Sequence, residues 1–276
     1  MSAATVAPSG RLGLMYDRAR WAVLDALTIT GRDLTIWRRV PAFLVFTLVQ
    51  PVMFTLLFRY VFGGAIPTDT PGGYVNYLMP GVIVQTAAFG SFGTAIALSR
   101  EVQKGVLDRF RSMPMARSAV LAGRLTADTA RMLVTILVIV GAGYAVGFRF
   151  SYGVGPAIAM IVISLLFGLA VCCVSAYIGL AIKDEESVQA FGLIWVFPLT
   201  FVSSAFVPIQ TMPGWLQAFA NNQPVSIVIN TVRYLAIGPT RGATSLNPHL
   251  WQSLVWIAGI LAVFGVLAVR AYRRTG

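Results

Sequence analysis

An all-α integral membrane protein is the fold class this sequence predicts, and three observations carry it. Of 276 residues, 57% are hydrophobic and only 11% charged, with a mean hydropathy of +0.76; soluble domains carry about 25% charged residues. Six apolar runs approach the roughly 20 residues that a crossing helix requires, at about 41–62, 75–98, 132–149, 157–182, 188–207 and 250–269. The cations flank these runs, as expected at an anionic leaflet. The net charge of +11 therefore calls for no nucleic acid, and none is expected as a partner.

Residues 1–40 form the first unit, a cytoplasmic or interfacial amphipathic segment. Between Met15 and Arg39, Trp21, Leu24, Leu27, Leu34 and Trp37 alternate with Arg18, Arg20, Arg32, Arg38 and Arg39, the composition of a helix lying among lipid headgroups. No short apolar segment with a cleavage site precedes it, so no signal peptide is expected. Residues 41–276 form the second unit, a six-helix transmembrane domain. Pro51 and Pro198 fall inside its first and fifth runs, where a missing N–H kinks a helix.

Between the second and third runs lies a charged interval, Ser99 to Arg131. Within it Val102, Val106, Phe110 and Met113 recur at helical spacing, with Glu101, Lys104, Asp108 and Arg111 on the opposite side, which predicts a short amphipathic helix. Pro114 ends it, and Ser118 is a candidate cap for the next helix. Two readings stand open: an interfacial loop held by its positive charge, or a docking element for a soluble partner.

Between the fifth and sixth runs, Met212–Ala220 and Val225–Leu235 are each too short to cross a bilayer, and Asn221-Asn222-Gln223-Pro224 separates them. They predict a re-entrant or interfacial helical hairpin, read either as a surface loop anchored by Trp215 and Phe219 or as a lid over an exit route. Of the 21 Lys and Arg residues, only Arg59, Arg149, Arg233 and Arg241 fall on the side of this hairpin. The positive-inside rule then places both termini and the Ser99–Arg131 interval in the cytoplasm, with the hairpin outside.

The chemistry that is missing narrows the function. All ten acidic residues, Asp128 among them, are assigned to segments outside the six runs, and the single His249 sits at the edge of the last one. Proton coupling then has no visible carrier. A P-loop needs Gly followed by Lys, whereas Lys104 follows Gln103 and Lys183 follows Ile182, so this chain is not expected to hydrolyse ATP or to be an enzyme. Lys183-Asp184-Glu185-Glu186 reads as a solvated turn. Cys172 and Cys173, adjacent in an apolar run, offer neither a disulfide nor metal-ligand spacing. Neither catalytic, metal-binding nor cofactor-binding residues are expected. A membrane bundle without its own energy source needs an engine from another chain.

The segments QPVMFTLLFRYVFGGAI (Gln50 to Ile66), FRSMPMARSAVLAGR (Phe110 to Arg124) and SSAFVPIQTMPGWLQAFANNQPVSIVINTVRYLAIG (Ser203 to Gly238) resemble the membrane subunits of type-2 ABC exporters. The daunorubicin-resistance type of drug and antibiotic exporters is the group they look like. The third segment is the most specific, with Phe206, Pro208, Met212, Pro213, Asn222, Pro224 and Arg233 in order.

This resemblance implies six spans, an N-terminal amphipathic connecting helix and a cytoplasmic coupling helix that fits a cleft on the ATPase. On this chain the coupling residues are Glu101, Val102, Gly105, Val106, Phe110, Met113 and Pro114. It also implies an outer re-entrant hairpin carrying Pro213, Trp215, Phe219, Asn222, Pro224 and Arg233. The implied partners are two copies of an ATP-binding subunit that holds ATP and Mg, a second membrane subunit expected to be identical, membrane lipid, and an amphipathic drug, antibiotic or lipid-like substrate. The implied location is the bacterial inner membrane. Alternative readings are an exporter of lipid-linked glycan or polysaccharide, a secondary transporter working alone, or a membrane-embedded lipid-modifying enzyme; the last would need a polar constellation at one membrane depth.

Overall fold

A computed structural model describes Gly31 and residues 41–66, 70, 72–105, 117–182, 184–240 and 245–274, with the side chains of all these except 41–47, 117–119 and 247. The Met15–Arg39 segment and the coupling residues Val106, Phe110, Met113 and Pro114 lie outside the described residues.

The first apolar run forms α1 (Pro41–Leu57), which passes directly into a π-helical turn, Phe58–Phe62. The second forms α2 (Gly73–Gly90) and α3 (Phe92–Gln103), separated only by Ser91. The Ser91 hydroxyl donates to the Ala88 carbonyl at 2.7 Å and shares a 2.9 Å hydrogen bond with Ser175. The break is thus satisfied inside the bundle, as a low-dielectric setting requires. Next come α4 (Arg117–Ala145), α5 (Val154–Ala181) and α6 (Glu185–Phe201). A 3-10 turn, Ile209–Thr211, leads to α7 (Gly214–Asn222) and α8 (Pro224–Ile237), and α9 (Leu246–Arg274) closes the chain. No strand occurs among the described residues.

Among the described residues, four helical stretches are long and apolar enough to cross a membrane: Gly73–Gln103, Val120–Ala145, Val154–Ala181 and Pro248–Arg274. Leu48–Phe62 and Pro224–Ile237 are apolar but shorter. The third run differs from the sequence reading, which began it at residue 132. Its helix starts by Arg117, and its crossing stretch by Val120. The helix expected from a Ser118 cap is present, but Ser118 lies inside it rather than capping it, and Arg124, Asp128 and Arg131, placed outside the apolar run, fall within its crossing stretch. Hydropathy stops at charged residues, but charges that pair within the bundle let the helix continue through them.

The hub is α5, against which α2, α3, α4, α8 and α9 all pack. Its sequence permits this because Gly168, Ala170, Ala176 and Gly179 are buried small residues, and small residues let helix backbones approach closely where no hydrophobic force separates protein from lipid. Leu78, Ile83, Ile136, Ile139, Met160, Phe167 and Ile229 fill the main core. Outward faces remain apolar, with Ile158, Ile194, Trp251, Val255 and Val263 exposed, a surface suited to lipid rather than water.

Candidate functional site

The residues singled out from the sequence fall into two groups, one at each end of the bundle. At the end that carries the segment expected to couple to a partner, α3 stops at Gln103 and the chain turns through Lys104 and Gly105. Gly105 has φ of +63°, a left-handed conformation that only glycine adopts at little cost. Val102 packs against a small cluster around Leu98, Val120, Leu121, Leu180 and Tyr272, so this part of the predicted apolar stripe is covered by its own chain. Glu101 pairs with Arg124 of α4 at 3.0 Å, with both side chains mostly shielded.

That pair is the first link of a chain of charges running into the bundle along α4. Arg124 Nε lies 3.7 Å from Asp128 Oδ2, and Arg131 Nη2 lies 3.3 Å from Asp128 Oδ1. The Thr94 hydroxyl donates to Asp128 at 2.7 Å, and Arg131 donates to the Gly90 carbonyl at 2.9 Å. Asp128 and Arg131 are only 6% and 5% exposed. The expectation that every acidic residue lies outside the apolar spans is therefore corrected for Asp128. Burial of two charges is tolerated here because each is paired and hydrogen-bonded. The spacing of Arg124, Asp128 and Arg131, four and then three residues apart, was a helical ion-pair signal in the sequence. The sequence reading expected a helix from Ser118 but counted its charges with the cytoplasmic interval outside the apolar run, so their pairing was not drawn.

At the same end, Arg100 forms a bidentate contact with Glu185, joining α3 to the start of α6. Asp184 caps α6 and accepts the Ser187 amide at 2.8 Å. Hydrogen bonding from Ser187 holds the exposed Asp184 carboxyl below its ordinary range. The Lys183–Glu186 segment thus includes a helix cap and an inter-helix contact.

At the opposite end, where a hairpin was expected, α7 and α8 follow one another with only Gln223 between them. Pro213 directly precedes α7, and its carbonyl accepts the amides of Leu216 and Gln217. Asn222 bonds back to the Ala218 carbonyl at 2.8 Å, and Pro224 opens α8 at a position where no N–H is needed. Trp215 is 76% exposed and Phe219 is also exposed. Arg233 differs from these: it is fully buried, donating to the carbonyls of Tyr77 and Ser204 and to the Asn230 side chain. The sequence reading had counted it among the outer cations and, through the resemblance, on the hairpin, without a buried partner.

Between the two ends, α1, α2, α3, α4 and α6 enclose a half-open cavity of about 350 Å3. Its wall is partly aromatic, from Phe54, Phe89 and Phe92, and partly polar, from Gln50, Gln85, Thr86 and Arg131. The sequence alone did not single out Gln85. Nothing in its apolar surroundings marks which way it faces.

A helical bundle with an apolar exterior and several helices long enough to cross a bilayer defines a multi-pass membrane protein. A family model described as "ABC-2 type transporter" matches residues 26–237, and the chain belongs to that family. It is 34% identical over 252 residues to the daunorubicin resistance ABC transporter permease protein DrrB1 of Streptomyces coeruleorubidus, covering 91% of this chain and 87% of that one. It is 32% identical over 264 residues to the probable doxorubicin resistance ABC transporter permease protein DrrC of Mycobacterium tuberculosis, covering 96% and 94%. A putative transport permease, ycf38, of Pyropia yezoensis is 30% identical over 224 residues, covering 80% and 76%.

Proposed function

We propose that this chain is the membrane subunit of an ATP-driven exporter that carries an amphipathic drug, antibiotic or lipid-like compound out of the cell. A separate ATP-binding subunit, present in two copies beside two membrane subunits, supplies the energy. Six spans place both termini in the cytoplasm of a bacterial inner membrane, the hairpin of α7 and α8 faces outward, and residues 101–114 take up the motion of the ATPase. The observation that carries this reading is family membership over most of the chain, next to relatives named for daunorubicin and doxorubicin resistance. The Glu101–Arg124–Asp128–Arg131 chain supports it, because it ties the start of the coupling segment to residues lining the cavity.

The test is co-purification of the tagged chain from mild detergent with a P-loop ATPase, together with Phe110→Asp. On this reading the variant reaches the membrane in normal amount but loses its partner or substrate-stimulated ATP hydrolysis, since a charge would have to be desolvated on docking. Phe110→Leu keeps both. Full assembly and export by Phe110→Asp would reduce the segment to an interfacial anchor.

A further inference from the structure

The crossing stretch Gly73–Gln103 is interrupted at Ser91, and its two halves are held very differently. At the break the Ser91 amide donates to the Ala88 carbonyl at 3.3 Å and the Thr94 amide to the Ser91 carbonyl at 3.0 Å, a reach of three residues where an α-helix uses four. Tightened turns of this kind inside a helix often mark hinges, and a Gly next to a Ser favours a bend. On one side of the break α2 is fixed. Fourteen of its eighteen residues are buried, Tyr74 and Tyr77 donate to the Phe206 and Ser204 carbonyls, and a Cβ on Gly81 would overlap the Ala205 backbone. On the other side, only Thr94, Ala95, Leu98 and Ser99 of the twelve residues of α3 are buried. Its near end is pinned where Ala95 meets Gly179 of α5. Its far end is tied by the Arg100–Glu185 and Glu101–Arg124 ion pairs and by the small cluster around Leu98.

A single ion pair of α4 grips both sides of the break. Arg131 donates to the carbonyl of Gly90, the last residue of α2, at 2.9 Å. Asp128, 3.3 Å from Arg131, accepts the hydroxyl of Thr94, in the first turn of α3, at 2.7 Å. A Cβ on Gly93 would come within 3.3 Å of the Arg131 guanidinium, so the glycine is what lets that side chain lie against the junction. From this geometry we propose that the Gly90–Ser91 junction is a hinge on which α3 swings against a fixed α2, and that the Asp128–Arg131 pair is the clamp that sets its angle. The swing reshapes the cavity, because Phe92 and Gly93 of α3 line it and the Phe92 ring rests on Gly192 of α6, where a Cβ would lie 2.7 Å from it. Twelve helical residues are about 18 Å long, so a turn of about 20° carries the far end of α3 through about 6 Å. A discrete element of this kind is what coupling between the two ends of the bundle requires. The proposal deepens the export reading and rests on it only for the force that drives the swing; hinge and clamp are properties of this chain alone.

The test measures distances within the full-length chain in lipid nanodiscs, with Cys172 and Cys173 replaced by alanine. Spin labels at Lys104, just past α3, and Glu186, at the start of α6, both exposed, report the swing by pulsed electron resonance. Labels at Ser151 and Thr211, exposed at the other end of the bundle, report the rest of the fold. Labelled chain is diluted with unlabelled chain so that only distances inside one copy are read. Without further substitution the Lys104–Glu186 pair should show one dominant distance. Thr94→Val keeps the shape of the side chain but releases Asp128 from α3, and it should raise the share of a second distance by about three- to tenfold, the scale of one hydrogen bond. Arg131→Gln, which removes charge-assisted bonds, should raise it further. In both variants the Ser151–Thr211 distance stays as it was. A Lys104–Glu186 distance unchanged in Thr94→Val overturns the clamp, as does a second distance that already dominates without either variant. Equal broadening of both label pairs would make Asp128 and Arg131 general glue of the bundle and overturn the hinge. No ATPase or substrate enters the measurement, so failure of ATP-driven export with the expected distances would count against the exporter reading alone.

Discussion

Arg233 of α8 donates to the Tyr77 carbonyl of α2 at 3.1 Å while its guanidinium carbon lies 3.8 Å from the centroid of the Tyr77 ring. One side chain thus meets its partner through both a hydrogen bond and a cation–π contact. The Tyr77 hydroxyl closes the circuit by donating to the Ser204 carbonyl at 3.0 Å, and Ser204 donates to Asn230 at 2.9 Å. The hairpin is therefore latched to the bundle through a cluster of which Arg233 is the centre.

Removing that centre leaves buried acceptors without a donor. Arg233→Ala is expected to lower stability by on the order of 3 kcal/mol. Arg233→Lys keeps the cation but reaches fewer acceptors at once, so it should retain about half of that stabilisation. Thermal unfolding in detergent, followed with a thiol-reactive fluorophore that reports exposure of the buried Cys172 and Cys173, measures both. An unfolding midpoint for Arg233→Ala equal to wild type would show that the latch contributes nothing.

Asp128 sits between two cations and a hydroxyl, so Asp128→Asn leaves Arg131 buried beside a neutral amide. The expected cost is about 3–5 kcal/mol, the scale for breaking a buried pair. Adding Arg131→Gln should recover part of this loss, because the uncompensated charge is then gone. A double-mutant cycle on the same unfolding assay gives the coupling; strict additivity of the two single losses would refute the pairing.

Two glycines on the hub helix should respond oppositely to alanine. At Gly179 a Cβ would overlap the Ala95 backbone carbonyl, and rigid backbone has to move apart. At Gly168 it would meet the Sδ and Cε of Met132, the end of a flexible side chain. Gly179→Ala is expected to destabilise by about 1–3 kcal/mol through overpacking. Gly168→Ala should stay within roughly 1 kcal/mol of wild type, helped by the better helix propensity of alanine. The assay is again the unfolding midpoint, and a reversed order of the two variants would contradict the packing.

Sidedness is best read at sites the structure leaves accessible. Thr70 is nearly buried, whereas Ser151, beside the hairpin, and Thr211, just before α7, are exposed. In a background with Cys172 and Cys173 replaced, single cysteines at Ser151 and Thr211 are expected to react with an impermeant thiol reagent in intact cells. A cysteine at Ser112 should react only after the membrane is opened. Labelling of Ser112 from outside would invert the topology.

The sequence by itself determined where helices occur and where the chain must turn. Hydropathy and proline are local properties, so α1, α5, α8 and α9 were legible within a few residues, and so was the break between α7 and α8 at Pro224. Motif order in the hairpin was enough to point to the family. Which way each side chain faces was decided only by tertiary structure, because rotation of a helix about its axis is set by the helices around it. Arg233 was named with the hairpin, but its sequence context assigned it only the role of an outer cation, and its burial against Tyr77 and Ser204 came from the fold. Asp128 and Arg131 read as charges outside the apolar span because a charge is assigned to water until its partner is visible, and the Glu101 and Thr94 that complete their network come from another helix. Gln85 is one amide in an apolar run, and only the convergence of five helices gives it a cavity to face.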